Sequence, residues 1–364
     1  MPGPGMSEKR SYLMSVFGTP SALTRWIINV SVAIAREVSA DHTFIAAASL
    51  DDLRNSWAAK KSGSIIFHSD SPREELRRIF LKNNYPLVLV SEPLWRVACY
   101  CITTRQLDPI LAARITTQSA CTLSTLQDCA FIFRVSEANY QDRAVDLIEQ
   151  LLNFYGIEAS VSSLPGLLAE MRLADRPDMT VEESLSLLFP DYNHDAQYPR
   201  SSLAEDARFV LSQYEPLLRD LAPVEFIWPP TVCFKFEPEI AYLDGSVEMV
   251  GAARILIGGH SLCLPQGRWR ARVFVEISEN LSGNRLRSDV FAEDQVFATV
   301  TAVLPKSGLF YYDIDFECQD PFYPIIIQLA ITEGAIEGWL TLREISIVNV
   351  DLYPRKSGRP VQAA

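Results

Sequence analysis

Histidine is scarce in this chain of 364 residues, and the four present, His42, His68, His194 and His260, are widely dispersed. Of the seven cysteines, Cys99, Cys101, Cys121, Cys129, Cys233, Cys263 and Cys318, no two form a CxxC pair. Local Cys/His zinc spacing is therefore missing, and no metal is expected. The odd cysteine count and the apolar runs around them suit buried free thiols in a reducing compartment. No GxxxxGK[ST] run occurs, which excludes a nucleoside-triphosphate loop, and no GxSxG run, which excludes a serine-hydrolase elbow. The longest apolar stretches, such as Trp26–Ala35 and Pro324–Ile331, fall short of the ~20 residues that cross a bilayer. Met1–Arg10 lacks the apolar core of a signal peptide, so the cytoplasm is the expected location and no membrane insertion is expected. Positive charge is also in deficit. Lys+Arg number 33 against 45 Asp+Glu, a net charge of −12, which argues against a general binder of nucleic acid or anionic membrane. A local basic pocket stays open.

What is present is apolar material, 48% of residues, enough for two domains of roughly 100–200 residues each. The first half alternates short apolar runs with helical periodicity. Strands are expected at Tyr12–Phe17, His42–Ala48, Ser64–Phe67, Leu87–Val90 and Ala130–Val135. Helices are expected at Leu23–Val38, from Ser71-Pro72 through Phe80, at Leu94–Arg105, and at Asp142–Tyr155 before Gly156. Such alternation implies a parallel sheet covered on both faces. Leu-rich segments at Val181–Leu188 and Leu211–Leu221 read as helices around a polar stretch, Asp191–Arg200. From about Glu225 the pattern becomes strand-like, at Arg254–Ile257, Trp269–Ile277, Leu286–Phe291, Gln295–Ala302, Leu309–Phe316, Ile325–Leu329 and Trp339–Val348. Period-two alternation through Arg270–Ile277 and turn formers between the runs imply an antiparallel sandwich or jelly roll. The expected organisation is an α/β domain over residues 11–160, a helical extension and linker over 161–224, and a β-sandwich over 225–354.

Three segments of the first half carry chemistry. Phe17-Gly18-Thr19-Pro20-Ser21-Ala22-Leu23-Thr24-Arg25-Trp26 joins a strand to a helix, where backbone N–H groups and helix polarity favour an anion. Ile65-Ile66-Phe67-His68-Ser69-Asp70-Ser71-Pro72 ends a strand in a histidine. Leu89-Val90-Ser91-Glu92-Pro93 begins another turn that leads through Cys99 to Tyr100. In order and spacing these segments resemble the PAPS-dependent sulfotransferases, and Phe131–Val135 with the following helix resembles that family's late strand and helix. The resemblance spans about residues 12–160. It implies a P-loop sulfotransferase-like fold, PAPS as donor cofactor, donor contacts at Thr19, Ser21, Ala22, Thr24, Arg25, Ser91 and Cys99, and His68 as general base, a role that suits a group titrating near neutrality. Ser21 stands where the family places a cation, Leu23 where it places glycine, Ser91 where it places arginine and Cys99 where it places serine. Each lost charge-assisted hydrogen bond costs an anion site roughly 1.5–3 kcal/mol, so weak or lost transfer is implied. Taken alone, the first segment is better explained by an ordinary capped strand–turn–helix, and a satisfied strand-end histidine is the competing explanation of the second.

In the second half, Leu264–Ala271 and Asp320-Pro321-Phe322-Tyr323-Pro324 resemble turns of carbohydrate-binding β-sandwich modules. The resemblance implies a glycan partner. Trp269, Tyr311, Tyr312, Tyr323 and Trp339 are candidates for an aromatic platform, and Asn280, Asn284, Asp289 and Glu337 for hydrogen bonds. Core packing is the competing explanation, above all for Trp269, which sits at an inward strand position. Asp313 and Asp315 share one side of a strand, as outward acids do, which favours a solvated face over calcium. Two functions follow: a sulfotransferase-like protein acting on or binding a glycan, or a non-catalytic pseudoenzyme that works through a protein partner.

Overall fold

The residues of Leu13–Gly18 are apolar apart from Ser15, and this run forms the central strand of a five-stranded parallel sheet. The computed structural model describes residues 11–39, 41–58, 63–190, 201–219, 221, 223–236 and 239–352. The chain divides into two units, one made of Met1–Asp108 and Thr122–Tyr198, the other of Pro109–Cys121 and Pro199–Ala364.

The first unit runs β1 (Leu13–Gly18), α1 (Ala22–Val38), β2 (His42–Ala46), α2 (Leu50–Trp57), β3 (Ser64–Ser69), α3 (Glu74–Asn83), β4 (Leu87–Val90) and α4 (Leu94–Arg105). Helix α5 (Pro109–Ser124) contributes residues 109–121 to the other unit, and the first resumes with β5 (Ile132–Val135), α6 (Ala144–Phe154), α7 (Pro165–Glu170) and α8 (Val181–Leu188). All pairings in the sheet β2-β3-β1-β4-β5 are parallel. Met14 and Val16 pack on one face with Trp26, Ile27 and Ile34 of α1, while Phe17 packs on the other with Ile45, Phe67 and Phe80. Burial on both faces explains why β1 and β4 read as nearly unbroken apolar runs. The connection from β1 leads to one side of the sheet and those through β4 to the other, so the C-terminal ends of β1 and β4 flank the topological switch point where open α/β sheets bind ligands. Trp26 Nε1 donates to Ser184 Oγ at 2.9 Å, which ties α8 to α1.

The second unit contains α9 (Ser202–Ser212), β6 (Glu225–Trp228), β7 (Cys233–Lys235), β8 (Ala241–Tyr242), β9 (Val247–Glu248), β10 (Arg254–Leu262), β11 (Gly267–Ser278), β12 (Arg285–Ala292), β13 (Gln295–Val303), β14 (Gly308–Cys318), β15 (Ile325–Ile331) and β16 (Trp339–Asn349). Its sheets run β13-β12-β15-β10-β7-β8 and β14-β11-β16-β6, with antiparallel pairings throughout. Along β11, Trp269, Ala271, Val273, Val275 and Ile277 are buried and alternate with more exposed partners, as the period-two pattern requires. The edge of β6 is closed by a side chain: Gln213 Nε2 donates to Ile227 O at 2.9 Å, and Ile227 N donates back to Gln213 Oε1 at 2.5 Å.

The helix expected over Leu211–Leu221 is displaced. Ser201 accepts from Ala204 N and starts α9 earlier, and Pro216 lies in a separate 3-10 turn, Glu215–Arg219. Proline lacks the N–H that a continuing helix needs. The polar stretch Asp191–Arg200 lies outside the described residues. Among the described residues no helix is long and apolar enough to cross a membrane.

Candidate functional site

The turn after β1 is drawn tightly onto β4. Thr19 N donates to Val90 O at 3.2 Å. A Cβ on Gly18 would lie 2.5 Å from Thr24 Oγ1 and 2.8 Å from Val90 Cβ, so the backbone passes where no side chain fits. Ser21 then caps α1, its Oγ accepting from Thr24 N at 3.3 Å, while Thr24 Oγ1 donates to Thr19 O at 2.7 Å. The N–H of Leu23, free to meet a ligand in an anion-binding loop, donates instead to Glu92 Oε2 at 3.1 Å. Glu92 is 2% exposed and follows β4, and its other carboxylate oxygen accepts from Tyr140 Oη. The guanidinium of Arg96 lies 5.4 Å from the centre of the Tyr140 ring. A carboxylate at a helix N-terminus meets the positive end of the macrodipole, so the position is favourable for it.

The expected donor contacts are distributed around this arrangement. Thr19, Ser21, Ala22 and Thr24 are buried in the turn, and the buried Thr19 Oγ1 has no hydrogen-bond partner. Arg25 is exposed and stacks over Phe189, 5.6 Å from its centre. Ser91 N donates to Val135 O at 3.0 Å, which continues the sheet. Cys99 is fully buried in α4. Cys101, two residues on, approaches Pro20 O at 3.9 Å, and burial pushes its thiol up to about 11, so it stays protonated near neutrality.

His68 is the last but one residue of β3, beside β1 in parallel register with Val16. Its Nδ1 lies 2.9 Å from Val16 O. A carbonyl only accepts, so Nδ1 carries hydrogen and Nε2 is left with the lone pair when the ring is neutral. Burial holds the His68 pKa below its usual 6.5, opposed by the Val16 carbonyl and by Asp70. The sheet therefore places a neutral imidazole at the same end as the turn after β1.

In the sandwich, the expected glycan residues do not converge. Trp269 is fully buried and donates Nε1 to Pro265 O at 2.9 Å, so it offers no face to a saccharide; its inward place on β11 decides this. Asn280 is also fully buried. It donates to Leu304 O at 3.1 Å and Pro305 O at 2.9 Å, and accepts from Asn284 N at 3.2 Å and Asn284 Nδ2 at 2.7 Å. Both asparagines tie loops together at the end of the sandwich where β11 finishes, and their polar atoms are spent there. Tyr311 is 57% exposed on the outer face, with Arg272 stacked 4.6 Å from its centre and Phe274 at 5.6 Å. Asp313 and Asp315 pair with Arg272 and Arg270 at 2.8 Å and 2.6 Å. Tyr323 follows the far end of β14, some seven residues and about 23 Å of strand from the level of Tyr311 to Cys318.

Tyr323 does line a cleft of about 420 Å³, together with Ala292, Glu293, Asp294, Gln295 and Phe297. The turn that carries it is fixed from several sides. Asp320 Oδ1 accepts from Phe322 N at 3.0 Å, Tyr323 N donates to Asp320 O at 3.3 Å, and Gln118 of α5 donates to Phe322 O at 2.7 Å. The residues missed by the sequence reading are thus Glu92 and Tyr140 in the first unit and the Glu293-Asp294-Gln295 turn in the second. An acid directly before Pro93 was the available signal for Glu92.

No family model matches the sequence, and no curated protein does. Among solved structures, a mouse sulfotransferase complexed with PAP is similar at 10% identity, covering 55% of this chain and 88% of that one, with a TM-score of 0.34. A CBM36-1 domain of a multidomain xylanase from the hindgut metagenome of Trinervitermes trinervoides is similar at 11% identity, covering 34% and 95%, with a TM-score of 0.24. The C-terminal CBM6 of a laminarinase from Zobellia galactanivorans is similar at 16% identity, covering 30% and 78%, with a TM-score of 0.20.

Proposed function

We propose that this protein binds a glycan through its β-sandwich and has lost sulfuryl transfer, its α/β unit being a decayed sulfotransferase-like fold. The observation that carries the reading is the Glu92 carboxylate on the N–H of Leu23. PAPS would bring phosphate and sulfate to this turn, and a buried acid there repels them. The amides of Thr19, Leu23 and Thr24 already donate within the protein, and Ser21 and Ser91 supply no cation. The unpartnered Thr19 hydroxyl is the one feature of the turn that favours a ligand. These residues do not fit the donor. The sandwich, by contrast, offers an aromatic cleft with a few convergent polar groups, the usual character of a small-molecule site.

A second reading, retained transfer with His68 as base, draws support from the orientation of its ring, which leaves Nε2 free to accept a proton. Calorimetric titration with PAP separates the two. No heat is expected at millimolar ligand, and measurable binding overturns the loss of donor recognition. A glycan array tests the sandwich: retention of at least one saccharide class is expected, and an empty array leaves assembly with a protein partner as the function.

A further inference from the structure

The cleft beside Tyr323 is lined unevenly in charge. Glu293 and Asp294 are exposed carboxylates and Gln295 is neutral, and among the described residues no lysine or arginine contributes to its lining. The chain as a whole carries −12, so no long-range field offsets these acids. Its size, about 420 Å³, lies toward the low end of small-molecule sites and suits roughly one or two sugar rings. Aromatic faces stack on the C–H face of a pyranose, and Tyr323 and Phe297 supply such surface, with Phe322 packed edge-on against Tyr323 at 5.2 Å.

The lining is also pre-set. Ala292 pairs with Gln295 across the β12–β13 turn, and Glu293 sits in the left-handed region at φ 48°, so both carboxylates are held on a two-residue hairpin. Asp320 and Gln118 fix the turn of Tyr323 from the other side. Little backbone ordering entropy therefore remains to be lost on binding.

We infer that this cleft takes an amine-bearing saccharide, of the glucosamine type, stacking its ring on Tyr323 and meeting its ammonium with Glu293 and Asp294. The inference rests on the glycan-binding reading above. A uronate or a sulfated sugar at the same position faces two like charges and is rejected, and a neutral sugar keeps the stacking but not the ion pairs. Exposed ion pairs contribute at most about fivefold in affinity each.

Titration of the full chain with tetraglucosamine, its fully N-acetylated form and tetragalacturonate tests this. Tetraglucosamine is expected to bind about five- to twentyfold more tightly than the acetylated form at low salt, and tetragalacturonate not at all. The gap should close at 1 M salt, where screening acts within about 3 Å. In a Glu293→Gln/Asp294→Asn variant the acetylated sugar binds as before and the preference for the amine disappears; both residues are exposed turn positions, so the fold is retained. Tyr323→Ala should lose both tetraglucosamine and its acetylated form with an unchanged thermal midpoint. A preference for the uronate, or an amine preference that survives the double variant, overturns the inference while leaving glycan binding intact. If none of the three sugars, nor any other on an array, binds, the glycan-binding reading itself falls.

Discussion

Glu92 accepts the backbone N–H of Leu23 across the switch point of the parallel sheet, at 3.1 Å and out of contact with solvent. The carboxylate does for the helix what a bound anion does elsewhere: it satisfies an orphan donor and sits on the positive end of α1. Glu92→Ala removes the acceptor of the Leu23 N–H and of the Tyr140 hydroxyl together. A buried donor left without a partner costs about 1–3 kcal/mol, so a loss of roughly 2–3 kcal/mol is expected. For a unit of this size that is a fall in thermal midpoint of about 4–10 °C. Glu92→Gln keeps an acceptor and should lose well under half as much. Differential scanning calorimetry decides it; an alanine variant that melts with the parent would mean that water replaces the carboxylate and the turn is open.

That contact was hidden in the sequence because its partners are 69 residues apart. The local pattern around Glu92 shows only an acid before a proline, and only the parallel placement of β4 beside β1 brings it to α1. The sheet itself was legible, since strands buried on both faces leave apolar runs that turn formers interrupt. So was the alternation of β11, because one face of that strand is core and the other carries the Arg270–Asp315 and Arg272–Asp313 pairs. Helix α5 left little trace: its Thr, Ser, Gln and Ala residues give no sharp apolar stripe. Leucine spacing over Leu211–Leu221 imitated a helix, and the break at Pro216 overrode it. Asparagines in a turn read as available hydrogen-bonding groups, and nothing local shows that the Asn280 amide points inward.

His68 gives a pH signature whose sign follows from its burial. The folded pKa lies below the usual 6.5 because the ring is desolvated, so the unfolded chain takes up the proton first. Above about 6.5 both states are neutral at this site and it contributes no pH dependence. As pH falls below 6.5, the unfolded state binds more protons and stability is lost, until the folded-state ring also protonates. Subtracting the urea-unfolding profile of His68→Gln from that of the parent isolates this slope. The difference should be flat from pH 7 to 8 and fall in the parent's disfavour between about pH 6.5 and 5. A difference that stays flat throughout would mean that the ring is solvated and that its Nδ1 contact with Val16 O is not maintained.

Asn280 separates a structural role from a binding one. Its side chain spends both donors on Leu304 O and Pro305 O and its oxygen on Asn284, with no exposed surface. Asn280→Ala leaves two carbonyls and the Asn284 amide short of partners, at a cost of about 2–4 kcal/mol. Asn280→Asp is expected to be worse than alanine although it is nearly isosteric, because a carboxylate then faces the carbonyl oxygens of Leu304 and Pro305 with no hydrogen to share. That ordering distinguishes hydrogen bonding from simple loss of volume, which would rank the variants the other way. The Tyr323 cleft lies at the opposite end of β14, so saccharide affinity per folded molecule should be unchanged in both variants. Chemical unfolding and glycan titration on the same preparations test the two claims together. Stability within about 0.5 kcal/mol of the parent, joined with lost saccharide binding, would return Asn280 to the ligand site.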